Sequence, residues 1–560
     1  MESSAKSFYD PIHMEIMWQR VISIAEECWV TIWRTSFSVV VGEALDYGCA
    51  ILDAHGRVLA HPSRSMPAFN FALPNCAREI LIQFPVDSLC PGDVLITNDP
   101  WLIAGHLFDI AVLTPVFNHQ GKVVAFLTSC AHVADIGGTR ARHTTREIYD
   151  EGLLIPPFKL YDGGEVNDLL IKIIRSNVRL PNMVMGDIHA MVSANQMGAE
   201  RLLAFMDEYH LNDLEALTAE VQRRTERSMR KAISALPDGI YEADQYCDGV
   251  EEPFCFRVQV KVTSDSLIVD FLNVPAQLPY GGTNITYSIL VADVVYVLKC
   301  ILNPNVPGND GDFRPITVKA PEGSVFNCRH PAAVNQRTRS LWTIAPSMMR
   351  ALAPILSEKV QAPTGFPVSF KTYGITGDGD AFNDHMFQGG GQGACSQGDG
   401  QSTLLFPTSA GNVSVEMFEM RTGFLIWEKE FIPNSGGAGK FRGAPGQRVT
   451  VRRRPGEKGG RYQIGIWPAS LRYANPGLFG GKAGNPMRLY TQVGSDGKIQ
   501  EHYGGIFVDL DDQTSITLEL PGGSGFGDPL ERDPEAINQD LKDELLTEKS
   551  AREQYNWKAK

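Results

Sequence analysis

The chain has 560 residues, 43% hydrophobic and 21% charged. That is ordinary globular composition, long enough for about three or four structural units, and it excludes a disordered or fibrous chain. Lys and Arg number 51 against 65 Asp and Glu, a net charge of −14, so nucleic acid is not an expected partner.

Asp10-Pro11 opens a predicted helix, Asp as N-cap and Pro in the first turn. Met14, Met17, Trp18, Val21, Ala25, Cys28 and Trp29 follow at helical spacing and read as a core-facing stripe. Cys49–Asp53 and Val58–Ala60 read as a hairpin around Gly56, whose freedom at positive φ suits the tight turn. Val94–Ile96 is a short strand. Asp109–Phe117 and Lys122–Thr128 form a second hairpin around Asn118–Gly121. Residues 184–235 read as mostly helical, with Asn212 or Asp213 capping a second part. From Phe254 to Phe271 apolar residues alternate as in an antiparallel sheet with one buried face. The last third is rich in Gly and Pro, and 534–556 reads as a charged amphipathic helix.

These textures give an α+β protein. A mixed N-terminal half carries the second hairpin, and a β-dominated, Gly-rich C-terminal half follows. The expected units are 1–235, 236–375, 376–533 and a C-terminal helix in 534–560. The ten cysteines lack any C-x-x-C and mostly sit in apolar context, so reduced thiols are expected; Cys247 and Cys255 are the one pair considered for a disulfide. MESSAKSFYD has no apolar leader core, and no run reaches the roughly 18 apolar residues of a membrane span. The expectation is a soluble, cytoplasmic protein with no membrane partner.

The chemistry-bearing segment runs from Asn98 to Asp135 and holds two H-x-x-D units, His106/Asp109 and His132/Asp135. Imidazole with carboxylate suits Zn, Mn or Fe. With the turn centred between His119 and Gln120, paired positions sum to about 239. That sets His106 beside His132 or Val133, and Asp109 near Cys130, at one open hairpin end. Opposed Cβ atoms lie about 5 Å apart, close enough to share a metal. Strict alternation sends i and i+3 to opposite faces, so Asp109 or Asp135 must leave regular strand geometry. Gly105 and Gly137-Gly138 make that irregularity plausible. On spacing alone, metal binding and hydrogen-bonded structural roles stay open side by side. His55, His119 and His143 read as turn or surface residues, Asp46 as a strand-edge carboxylate, and Asp99 as a turn cap. The glycine clusters at 389–393, 435–443 and 521–529 read as anion nests or tight β turns. No P-loop, H-E-x-x-H or G-x-S-x-G occurs.

TNDPWLIAGHLFDIAVLTPVF and AHVADIGG resemble the hydantoinase B/oxoprolinase family. So do REIYDEGLLIPPFKL, IRSNVRLPNMVMGDI, NPNVPGNDGDFRPITVKAPEGS, NSGGAGKFRG and PGGSGFGDPLERDPEA. The likeness runs from about residue 10 to the C-terminus. It implies one subunit of an ATP-dependent enzyme, in a hetero-oligomer such as a dimer of heterodimers. The implied partner is a hydantoinase A-type subunit that binds ATP and Mg in an actin/hexokinase-like fold and phosphorylates a carbonyl oxygen. It further implies a divalent metal held by His106, Asp109, His132 and Asp135, with Asp46 raised to a ligand. The substrate class implied is a cyclic amide (hydantoin or lactam) attacked by metal-activated water. A ketone carboxylated by an acetone- or acetophenone-type enzyme is the alternative, and a non-catalytic scaffold for the ATPase subunit is the third reading. Arg140, Arg142 and Arg314 are candidates to hold the phosphate. The stretch before Asp46 lacks the usual Glu-Arg pair, and 61–73 lacks the HxPVHxG-like segment of many hydantoinases, which leaves the substrate open.

Overall fold

A computed structural model describes residues 10–140, 144–456, 459–494 and 497–558. The first helix, Pro11–Thr35, starts where its capping residue stands: the Asp10 carboxylate accepts from the amides of Ile12 and His13. Its apolar stripe is buried and packs on the helix Pro181–Glu208.

Seven strands form the first sheet: β1 (Tyr47–Asp53), β2 (Val58–Ala60), β3 (Val94–Thr97), β4 (Asp109–Phe117), β5 (Val123–His132), β6 (Phe158–Asp162) and β7 (Glu165–Val166). Their order is β2-β1-β5-β4-β3-β6-β7, and every pairing is antiparallel. β1, β4 and β5 are covered on both faces, which is why they read as continuous apolar runs. Leu52, Leu113 and Phe126 face a core shared with the helix Pro67–Gln83. Ile51, Val112 and Leu127 face the opposite core, shared with Pro11–Thr35 and Pro181–Glu208.

The β4–β5 register departs from the expected one. Paired positions sum to 241 along most of the ladder, so Asp109 lies opposite His132 and Ala111, not Asp109, lies opposite Cys130. Two local features cause the slip. Asn118 ties off the turn by accepting at its Oδ1 from the amides of Gln120 and Lys122, and a bulge follows between Val116 and Phe117.

The second sheet comprises β8 (Gly239–Cys247), β9 (Phe254–Thr263), β10 (Ser266–Leu272) and β11 (Ile316–Lys319), in the order β11-β10-β9-β8. The alternation in β9 is real: Phe256, Val258, Val260 and Val262 are buried. They join a core with the helices Tyr287–Leu302 and Ile344–Leu352.

Nine later strands are β12 (Val368–Ile375), β13 (Ala381–Gln388), β14 (Phe424–Phe431), β15 (Gln447–Arg453), β16 (Arg461–Ile466), β17 (Arg488–Val493), β18 (Ile499–His502), β19 (Ile506–Asp509) and β20 (Thr514–Glu519). They form a sheet β13-β12-β16-β19 and a sheet β14-β15-β20-β17-β18, with one core between them. β12 pairs with β13 along its whole length, so residues 368–375 share a sheet with the chain beyond 376.

The three glycine clusters are neither isolated turns nor separate nests; they pack on one another backbone to backbone. Gly437 donates to the Gly523 carbonyl, Gly523 to Ala444, and Ala444 to Gln392. A Cβ on Gly443 would overlap the Gly523 carbonyl, and one on Gly523 would overlap that of Gln392. The C-terminus forms two helices, Pro534–Lys542 and Glu548–Tyr555, where the sequence suggested one. Glu544 at φ +58° breaks the run, and Thr547 caps the second helix. All ten cysteines are free thiols, Cys247 and Cys255 included. Among the described residues no helix is long and apolar enough to cross a membrane.

Candidate metal centre

The ends of three neighbouring strands converge at one edge of the first sheet. β5 lies between β1 and β4, so its last residue, His132, sits across from Asp109 at the start of β4. On its other side it adjoins Asp46, the residue before β1, whose carbonyl accepts from the His132 amide. Antiparallel pairing of β1 with β5 thus brings Asp46 to His132 across more than eighty residues of chain. His106 lies outside the strand. The Asp109 amide donates to the His106 carbonyl, and this turn folds the imidazole back over the strand's first residue. The difficulty of an i, i+3 pair on one strand therefore does not arise.

His106 Nε2 lies 2.9 Å from Asp109 Oδ1, and His132 Nδ1 lies 3.4 Å from the same oxygen. Asp46 Oδ2 is 3.9 Å from His132 Nδ1. The ligand atoms of His106, Asp109 and His132 fall within 4.8 Å of one another, and all three residues are buried. Three ring nitrogens here are buried without a hydrogen-bond partner: His106 Nδ1, His132 Nε2 and His385 Nε2. Two imidazoles and two carboxylates this close together are a donor set that fits a divalent ion of the Zn, Mn or Fe type.

Charge around the cluster is arranged from a distant segment. Arg337 donates from Nη2 to Asp109 Oδ2 at 2.8 Å and from Nε to the Ala104 carbonyl. Its approach needs Gly105: that residue sits at φ +91°, and a Cβ there would come 2.9 Å from Arg337 Cδ. Burial opposes charge on Asp109, but His106 and Arg337 outweigh it and hold the carboxyl well below the usual range. Burial, then the Arg337 charge, pushes His106 down to about 3, leaving the neutral imidazole that metal binding requires. Burial raises Asp46 to about 6, against the pull of His132.

The cluster opens on a cavity of about 120 Å³. Its other walls carry Arg337, Arg339, Lys371, His385, Trp342 and Trp467. Lys371 and His385 are cross-strand partners on β12 and β13. The His385 ring lies 5.4 Å from that of His132, and the Lys371 ammonium stands over Trp467 at 5.7 Å. Burial and Arg337 push Lys371 down to about 8.

Of the residues singled out from sequence, His106, Asp109, His132 and Asp46 come together. Asp135 does not join them. Arg179 holds its carboxylate, donating from the backbone amide and, at 2.7 Å, from Nη1. Asp99 caps a turn by accepting from the Trp101 amide. Arg314 is spent on Glu226 and Gln222, away from the cavity lining, and Arg140 reaches Gln463 and the Tyr373 ring. Arg142 and His143 lie outside the described residues. The cations that do line the cavity, Arg337, Arg339 and Lys371, were missed, as was His385. In the sequence Arg337 stands in an unpatterned loop, and Lys371 and His385 read as ordinary strand residues.

Comparison with known proteins places the whole chain among relatives of one fold. The B-type subunit of a putative D-/L-hydantoinase from Pseudomonas sp. (strain NS671) is 28% identical over 98% of this chain and 95% of its own length. The crystal structure of the ATP-dependent caprolactamase from Pseudomonas jessenii has the same fold, with a TM-score of 0.89 at 24% identity over 99% of this chain and 97% of that one. The nucleotide-free structure of an acetone carboxylase matches with a TM-score of 0.88 at 16% identity, covering 98% of this chain and 79% of that one. The hydantoinase B/oxoprolinase family model matches residues 10–529, and the chain belongs to that family.

Proposed function

We propose that this chain is the metal-bearing subunit of an ATP-dependent cyclic amide hydrolase of the hydantoin or lactam type. Its partner would be a hydantoinase A-type subunit that binds ATP and Mg and phosphorylates the amide carbonyl oxygen. The observation that carries the reading is one cavity with two kinds of wall: the buried His106, Asp109 and His132 with the partly buried Asp46, and the cations Arg337, Arg339 and Lys371. The hydantoinase relative, whose name makes it one component of a larger enzyme, supports the partner.

His106, Asp109 and His132, with Asp46 beside them, would hold a Zn, Mn or Fe ion. Such an ion supplies a nucleophile near neutral pH by lowering the pKa of a water from 15.7 towards about 7. Arg337 keeps Asp109 ionised and fixed, so the cluster is built before any ligand arrives. Lys371 and Arg339 supply positive charge for the phosphoryl group of the activated carbonyl. The aromatic rings of Trp342 and Trp467 add apolar surface to that wall, and a low-dielectric wall strengthens those charges.

The same cations would also take carboxyphosphate, so an acetone- or acetophenone-type ketone carboxylase is the second reading. Co-expression with an A-type subunit decides the matter. ATP-dependent loss of a cyclic amide supports the hydrolase, and bicarbonate-dependent loss of a ketone replaces it with the carboxylase. Activity unaffected by loss of His106 and His132 would reduce the chain to a scaffold.

A further inference from the structure

The helix Tyr287–Leu302 is almost wholly apolar and buried: Ile289, Leu290, Val294, Val295, Val297 and Leu298 are all in the core. Two charged residues interrupt it. Lys299 is answered, its Nζ lying 2.9 Å from Asp312 Oδ1. Asp293 is not. It is 4% exposed, and its Oδ2 is buried with no hydrogen-bond partner. An unanswered buried polar group is destabilising, and any apolar residue would have avoided that cost on this helix.

Asp293 lines the same cavity as the metal cluster. The same lining includes the apolar Leu341, Trp342, Phe387 and Ala410 and the hydroxyl-bearing Ser369 and Thr408. The cluster's carboxylates have Arg337 and two imidazoles to meet; Asp293 has burial alone acting on it, which pushes its carboxyl up to about 7. A carboxyl in that state offers both an acceptor and a donor oxygen near neutral pH. A carboxyl that the protein leaves without a partner at the wall of a ligand cavity is open to pairing with the ligand.

We infer that Asp293 is the substrate-reading residue of this cavity: its carboxyl pairs with a ring N–H of the cyclic amide. The inference rests on the cyclic amide reading and narrows it to substrates that keep a free ring N–H. A simple ketone has no such donor. A site built around a hydrogen bond rejects an analogue lacking it far more strongly than an apolar pocket rejects an extra methyl.

The test uses the complex with its A-type partner, as parent, Asp293→Asn and Asp293→Leu, with hydantoin and its N-methylated form as probes. Melting temperature, ligand-induced thermal shift and ATP-dependent turnover are read on the same samples. Asp293→Leu should melt at or above the parent temperature, since it removes an unanswered polar group. It should raise KM for hydantoin at least tenfold and abolish the parent's preference for hydantoin over the N-methylated form. Asp293→Asn, which keeps an acceptor oxygen, should retain part of that preference. An unchanged preference in Asp293→Leu, or a melting temperature lowered with the preference intact, overturns the inference while leaving the hydrolase reading standing. A parent complex that consumes a ketone with bicarbonate and shows no thermal shift with hydantoin overturns both.

Discussion

Arg337 and Arg314 each pair with a carboxylate at nearly the same distance, 2.8 Å to Asp109 and 2.9 Å to Glu226. Burial separates them. The Arg337 and Asp109 side chains are 7% and 0% exposed; those of Arg314 and Glu226 are 40% and 22% exposed. Replacing Arg337 with Met keeps much of its length and leaves Asp109 as a buried carboxylate without its cation. Breaking a buried pair from one side costs about 3–5 kcal/mol, because the remaining charge is stranded. Arg314→Met strands nothing, since water reaches Glu226, and should cost about 0–1 kcal/mol. Thermal unfolding of both variants in chelator should therefore show a shift for Arg337→Met several times that for Arg314→Met. Adding Zn or Mn should recover part of the Arg337→Met loss, because a bound dication gives Asp109 a new counter-charge. Equal shifts for the two variants would refute the burial argument, and failure of either metal to recover stability would take Asp109 out of the ligand set.

His106→Ala and His132→Ala should each release metal, and Asp46→Ala should weaken binding. Asp135→Asn should keep the metal, since Arg179 already occupies that carboxylate. Metal analysis checks all four, and full occupancy in the His106→Ala/His132→Ala double variant would sink the proposed site. Glu151 gives a pH signature. It accepts from the Val334 and Asn335 amides just before Arg337, and burial pushes its carboxyl from 4.5 up to about 8. The folded protein thus keeps a proton there that the unfolded chain loses above pH 4.5. Stability from this group is full below that pH and falls as pH rises towards about 8. Glu151→Gln cannot ionise, so its melting temperature should gain on the parent's between pH 5 and 8; parallel curves would show that Glu151 does not titrate in that window.

Local patterns were legible wherever a periodicity or a cap decides the backbone. Asp10-Pro11 started its helix, and the β9 alternation marked a half-buried strand, because both depend on neighbours a few residues away. The two H-x-x-D units pointed to the right hairpin end, and His106, Asp109 and His132 do meet there. The register within that hairpin did not follow from turn position, since one bulge and an Asn-tied loop move most of the pairs by two. Asp135 and the 534–556 helix show the same limit: spacing alone cannot say that Arg179 will claim a carboxylate or that Glu544 will turn left-handed. Asp46 entered the site because β1 pairs with β5, Arg337 because Gly105 leaves room for it, and Lys371 and His385 because a separate sheet closes the cavity. Those meetings bring together residues tens to hundreds of positions apart. They are set by how sheets and helices bury their faces against one another, and a linear pattern does not carry that information.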